Sequence, residues 1–163
     1  MSTKTVKSYY ISGLHALRSA SEQGTAAAVL LESKAVEPSL KDLMATYGET
    51  AANHEAEIAN FLVELDVKPS DFKDRIMEGV GKGTDEMLKA AEDEGAMNLA
   101  VISGSQAGIA YFHNAFASYP SMANALDLPD QASRWEKMTK EWQEIATRLS
   151  ELSPAILKKA LSS

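Results

Sequence analysis

Residues 5–34 read TVKSYYISGLHALRSASEQGTAAAVLLESK, and the spacing of their apolar and small side chains decides the fold. Val6, Tyr10, Gly13, Leu17, Ala20, Gly24, Ala27 and Leu31 recur at alternating intervals of three and four. Such spacing lays them along one stripe of a helix, and the repeat persists for nearly four heptads. Gly13, Ala20, Gly24 and Ala27 are small, so a second helix can approach this stripe closely. Each glycine costs a helix roughly 1 kcal/mol relative to alanine. Close packing offsets that cost.

The same pattern returns downstream. Pro38 and Ser39 open a second helix predicted over residues 39–66, with Asp42 placed as a capping-box acid. Its seam is Leu40, Met44, Tyr47, Ala51, His54, Ile58, Phe61 and Leu65. Ser70 is the expected cap of a short helix over 70–79. The stretch Gly79-Val80-Gly81-Lys82-Gly83-Thr84 is expected to be a flexible junction. It lacks the register of a phosphate loop, and no strand precedes it. A third long helix is predicted over 85–118. Its inner stripe is Leu99, Ile102, Gln106, Ile109, His113 and Phe116, beside a small-residue ridge of Ala100, Gly104 and Gly108. A loop over 119–129 leads to a last long helix over 130–152, capped by Asp130. Trp135, Met138, Trp142, Ile145, Leu149 and Leu152 form its seam. Ser153–Pro154 is expected to break it and start a tail helix over 154–161. No alternating strand pattern occurs. These elements specify an all-α, ferritin-like four-helix bundle over 1–163, with a long helical crossover between the second and third long helices and a short C-terminal helix.

Composition narrows the function classes. The chain has 163 residues, the length of one ordinary domain. A domain of that size buries roughly 70% of its unfolded surface, so it folds without a covalent staple. Its 23 acidic and 16 basic residues give a charge of −7. That charge repels phosphate backbones, so nucleic acid is not an expected partner. There is no cysteine, which removes disulfides, thiol catalysis and cysteine-ligated metals. No run of about 18 apolar residues is present, so no membrane span is expected. The N-terminal stretch does not resemble a signal peptide, and a cytoplasmic protein is the expectation.

Three histidines and the carboxylates supply the candidate sites. His54 and His113 fall on apolar seams, and Gln106 shares the face of His113. A buried polar side chain needs a partner. The three therefore form either a hydrogen-bonded core cluster or a group binding a metal or small ligand, while His15 is expected at the surface. Bundle metal sites use inward glutamates and Glu-x-x-His pairs. None of the histidines has a glutamate three residues before it, because Ser12, Ala51 and Ala110 occupy those places. Glu141 and Glu144 form a Glu-x-x-Glu pair, whereas Glu49, Glu55 and Glu57 lie off the seam. Tyr9, Tyr10, Trp135 and Trp142 are expected to pack in the core.

Several short matches lie in collinear order over about residues 5–152: Thr5-Val6, Ser19-Ala20 with Gln23, Met77-Glu78-Gly79-Val80, and Gln106. Through them the sequence resembles the YciE/YciF-like group of small bacterial ferritin-like proteins associated with stress responses. The resemblance implies a bundle, a homodimer and a carboxylate–histidine constellation for two metals. Carried over, the first-helix glutamate falls on Ser21, with Glu22 adjacent. The second-helix glutamate falls on Glu49, but its histidine falls on Ala52. The third-helix glutamate falls on Ile109. Glu141 survives in the last helix, beside Trp142 and Ala146. Two carboxylates from a set of about six ligands hold two metals poorly.

Three functions follow. The favoured one is a non-enzymatic structural or interaction protein with a lost or incomplete di-metal site and no cofactor. The second is a metal-binding oxidoreductase or storage protein that holds iron or manganese through a shifted set drawn from Glu22, Glu49, Glu141, Glu144, His54 and His113. The third is a small-molecule binding module with a cavity beside His54, Gln106 and His113, against the Gly- and Ala-rich first helix.

Overall fold

A computed structural model describes residues 3–162, so the outermost residues of the 1–163 domain lie outside it. Among the described residues six helices follow one another: α1 (Thr3–Lys34), α2 (Pro38–Glu64), α3 (Arg75–Ala90), α4 (Glu94–Phe116), α5 (Tyr119–Ala125) and α6 (Pro129–Ala160). The described residues contain no strand.

The long helices α1, α2, α4 and α6 form the bundle. α1 packs on α2 and α4 packs on α6, while α2 against α6 and α1 against α4 close the square. Only three residues separate α1 from α2, so the two run antiparallel. Asn98 of α4 fastens this turn, its Oδ1 accepting the backbone N–H of Val36 (2.9 Å) and of Glu37 (3.2 Å). Pro38 occupies the first turn of α2 and Glu37 the cap position, without a side-chain capping bond. Ser39 therefore lies inside the helix, and the expected capping box with Asp42 is not formed.

The crossover differs from expectation. α3 starts at Arg75 and runs unbroken through Gly79, Gly81 and Gly83. The expected short helix over 70–79 and the junction after it are one helix. Its cap is Asp74, not Ser70. Asp74 Oδ1 accepts the N–H of Met77 (2.7 Å) and Oδ2 accepts the hydroxyl of Tyr111 (2.8 Å). The backbone N–H of Asp74 donates to Ser19 Oγ (3.1 Å), and its carbonyl accepts from Gln23 Nε2 (3.0 Å). Asp74 thus ties α3 to both α1 and α4. The three glycines face open space. The helix is held by Met77, Val80, Thr84 and Leu88, one stripe of an amphipathic surface laid across α1 and α4. The true break comes at residues 91–93, where Asp93 caps α4 by accepting from Ala96 N (2.7 Å). The expected helix over 85–118 is therefore two helices.

Residues 119–125, expected as loop, form α5, which packs on α6. In α6 the cap position is Leu128, with Pro129 next to it. Asp130 sits in the first turn, where its charge complements the helix dipole. α6 does not stop at Ser153 but continues through Pro154 to Ala160. Proline removes one backbone donor there, yet the position is exposed and the final turns are anchored. Ile156 is buried, Ala160 lies against Gly95, and Lys159 pairs with Glu37.

Candidate functional site

The middle of the bundle, where a helical di-metal site would sit, is filled by aromatic rings. Phe112 of α4 stacks on Trp142 of α6 with centroids 4.5 Å apart and planes 9° apart. Tyr47 and His54 of α2 meet Trp142 edge-on, each at 5.4 Å. Phe116 lies 5.5 Å from the His54 ring. Offset stacks and edge-to-face pairs are the arrangements aromatic quadrupoles favour. All five side chains are buried.

Among the described residues, three buried polar atoms at this level have no hydrogen-bond partner: Ser21 Oγ, His54 Nδ1 and Trp142 Nε1. The other ring nitrogen of His54 is satisfied, lying 2.6 Å from Glu141 Oε2. Burial pushes the His54 pKa below its ordinary value, against the opposing pull of Glu141. The neutral ring donates Nε2–H to the carboxylate, which leaves Nδ1 as a buried lone pair. His54 forms the floor of a cleft between α2 and α6, of about 360 Å³, with Glu57, Arg134, Lys137 and Glu141 around it. Arg134 Nη1 donates to Glu57 (3.0 Å), and Lys137 lies 3.8 Å from Glu141. The lining of this cleft holds no hydroxyl or thiol to act as nucleophile.

The residues singled out from sequence are not gathered here. Gln106 is exposed and His113 is half-buried: α4 buries Ile102, Ile109 and Phe116 of the expected stripe, but its buried face extends to the side of Val101, Ser105, Gly108 and Phe112, which leaves Gln106 and His113 at its edge. His54 therefore does not share a pocket with them. Glu22, Glu49 and Glu144 are exposed, on α1, α2 and α6. Glu141 alone among the expected metal ligands reaches a histidine. Of the other positions that the resemblance points to, Ser21 and Ile109 are buried and Ala52 is exposed.

The donor set does not fit a pair of iron or manganese ions. Among the described residues, no three side chains of His, Cys, Asp or Glu converge on a point that could hold a cation. Hard cations need several oxygens at once, and the bundle interior at this level offers aromatic carbon, the hydroxyls of Ser21 and Tyr47, an indole N–H and a single histidine nitrogen.

Two turns away along α6 the interior is built differently. Trp135 Nε1 donates to Tyr10 Oη (2.9 Å), which donates to Gln131 Oε1 (2.8 Å). Gln131 Nε2 donates to Glu64 (2.7 Å), and Arg134 donates to the same carboxylate (2.6 Å). Neither this chain of bonds nor the Asp74 clasp was found by sequence reasoning. Both join residues far apart in the chain, and no local pattern marks them.

Solved structures share this architecture. The E. coli stress protein YciF matches with a TM-score of 0.89 and 20% identity, covering 96% of this chain and 99% of that one. YcfI from Rhodopseudomonas palustris matches with a TM-score of 0.84 and 19% identity, covering 89% and 92%. At such identities the likeness establishes the ferritin-like fold. No curated protein matches the sequence. The profile of a family described as a domain of unknown function, DUF892, matches residues 5–162. The chain belongs to the DUF892 family and has the ferritin-like bundle fold of YciF.

Proposed function

We propose that this protein is a non-enzymatic ferritin-like bundle, stress-associated like the E. coli protein whose fold it shares, that acts as a structural or interaction protein without a working di-metal centre. One observation carries the reading. The level of the bundle where inward carboxylates and histidines would bind metal is packed with Tyr47, Phe112, Phe116 and Trp142, and the acidic side chains lie outside it. An aromatic core of this kind stabilises a scaffold. It leaves no open coordination position for substrate or oxygen. A homodimer and a cytoplasmic location belong to the same proposal, with apolar side chains such as Val29, Val36 and Ile76 left exposed for a partner.

Elemental analysis of protein purified without chelators, from cells grown with added iron and manganese, tests it. Well under one equivalent of either metal per chain is expected. About two equivalents, abolished by Glu49→Ala combined with Glu141→Ala, would overturn the proposal in favour of a metal-dependent oxidoreductase or storage protein. Light scattering on the eluting protein checks the dimer, and a monomeric mass would reject that part.

A further inference from the structure

The small-residue face of α1 opens onto a cavity that the metal question does not touch. It lies between α1 and α3 and measures about 410 Å³, within the range of small-molecule sites. Its walls are aliphatic: Ala27 and Leu31 from α1, Met77 and Val80 from α3. Tyr47 of α2 and Thr84 of α3 reach it from within the fold.

Glycine clears the space around both hydroxyls. A Cβ at Gly108 would lie 2.5 Å from the Tyr47 oxygen, and a Cβ at Gly24 would lie 3.6 Å from it. A Cβ at Gly104 would lie 2.4 Å from the Thr84 methyl and 2.8 Å from its hydroxyl. Tyr47 is only 2% exposed. No described residue forms a hydrogen bond to its hydroxyl, which is left facing the cavity. Burial alone pushes the Tyr47 pKa far above its ordinary value, so the phenol keeps its proton. Unlike Ser21 Oγ, His54 Nδ1 and Trp142 Nε1, the Tyr47 hydroxyl keeps contact with the cavity space. A ligand whose acceptor atom enters the cavity takes a hydrogen bond from it in a site sheltered from bulk water, worth about 0.5–1.5 kcal/mol.

The rim decides the charge of such a ligand. Lys73 and Lys82 lie at 3.1 and 3.3 Å from the same Glu78 oxygen, and Asp85 is paired with Lys89. Arg75, Lys73 and Lys82 all pair with the single Glu78 carboxylate, so the rim carries more positive than negative charge and offers no free carboxylate to an amine. We infer that the α1/α3 cavity binds a non-cationic, largely apolar small molecule whose carbonyl or other acceptor oxygen takes a hydrogen bond from Tyr47.

The neutral naphthyl ketone prodan is a direct probe, because its emission reports both polarity and hydrogen bonding at its carbonyl. The intact protein should bind it saturably with a blue-shifted emission. Tyr47→Phe should weaken binding about fivefold to tenfold and shift the emission further to the blue as the carbonyl loses its donor. Gly81→Trp should abolish binding. Gly81 lines the cavity and a Cβ there meets nothing, so that variant keeps the fold, which a thermal melt verifies. Absence of saturable binding, equal affinity and emission in Tyr47→Phe, or unchanged binding in Gly81→Trp would each overturn the inference.

Discussion

The two tryptophans of α6 sit seven residues apart on one seam, and their surroundings are opposite. Around Trp135 the buried polar atoms are linked: the indole N–H, the Tyr10 hydroxyl and the Gln131 amide form one chain that ends on the Glu64–Arg134 ion pair. Around Trp142 the indole N–H, one nitrogen of His54 and the hydroxyl of Ser21 are buried and unpartnered. Both regions are close-packed with aromatic rings, so apolar burial does not separate them. Polar satisfaction does. A chain of bonds that joins α1, α2 and α6 fixes one arrangement of those helices. Leftover polar atoms at the level expected of a metal site mark a region filled for volume, where hydrogen bonding does not specify the packing.

Replacing each tryptophan by phenylalanine exposes that difference. Both changes remove the same atoms. Trp135→Phe also strips the hydrogen bond into Tyr10, and should cost about 3 kcal/mol as cavity and bond losses combine. Trp142→Phe loses only packing and should cost about 1.5 kcal/mol. Denaturant melts of the two variants measure the gap, and equal losses would erase the distinction. The two buried tyrosines give a smaller version of the contrast. Tyr10→Phe orphans both the Trp135 N–H and the Gln131 carbonyl, for an expected loss of about 1–2 kcal/mol. Tyr47→Phe removes a hydroxyl that bonds to no described residue and should change stability by no more than about 0.5 kcal/mol. A large loss in Tyr47→Phe would show that its hydroxyl already has a structural partner.

The sequence carries the parts of this architecture that one-dimensional spacing can encode. α1 and α2 are amphipathic, with one buried face each, so their heptad seams locate them within two residues at each end. α4 defeats the same logic. It touches α1, α3, α5 and α6, and its residues are small or apolar on nearly every side. Two ladders of three-and-four spacing fit it equally well. Both ladders are buried, Ile102, Ile109 and Phe116 together with Val101, Ser105, Gly108 and Phe112, and the broad buried face leaves Gln106 at its solvent edge. The glycines of α3 look like a hinge because their propensity is poor. What holds them helical is tertiary: the stripe of Met77, Val80, Thr84 and Leu88 packed on α1 and α4, and the Asp74 clasp made with Ser19, Gln23 and Tyr111, which no local pattern reveals. The carboxylates follow the same division. Their absence from the interior is legible from the seams, whereas the contact between His54 and Glu141 depends on how α2 and α6 are set against each other.

His54 offers the smallest effect and the most specific one, because its protonation equilibrium belongs to the unsatisfied region alone. Burial lowers its pKa, and the hydrogen bond to Glu141 pulls the other way, so the net shift is a difference between opposed effects. The sign still follows. In the unfolded chain His54 takes up a proton near its ordinary 6.5, while in the folded chain it does so only at lower pH. Between those two values the unfolded state holds more protons, so stability falls as pH falls through that window and is fully retained above it. Thermal melts across the window should show the decline in the intact protein and a flatter profile in His54→Leu. Glu141→Gln should deepen the decline, because it removes the carboxylate that favours the charged ring and leaves the burial that opposes it. A midpoint that holds steady in the intact protein, or a Glu141→Gln profile that flattens, would mean that Glu141 and water hydrate the ring well enough for His54 to carry its charge inside the fold.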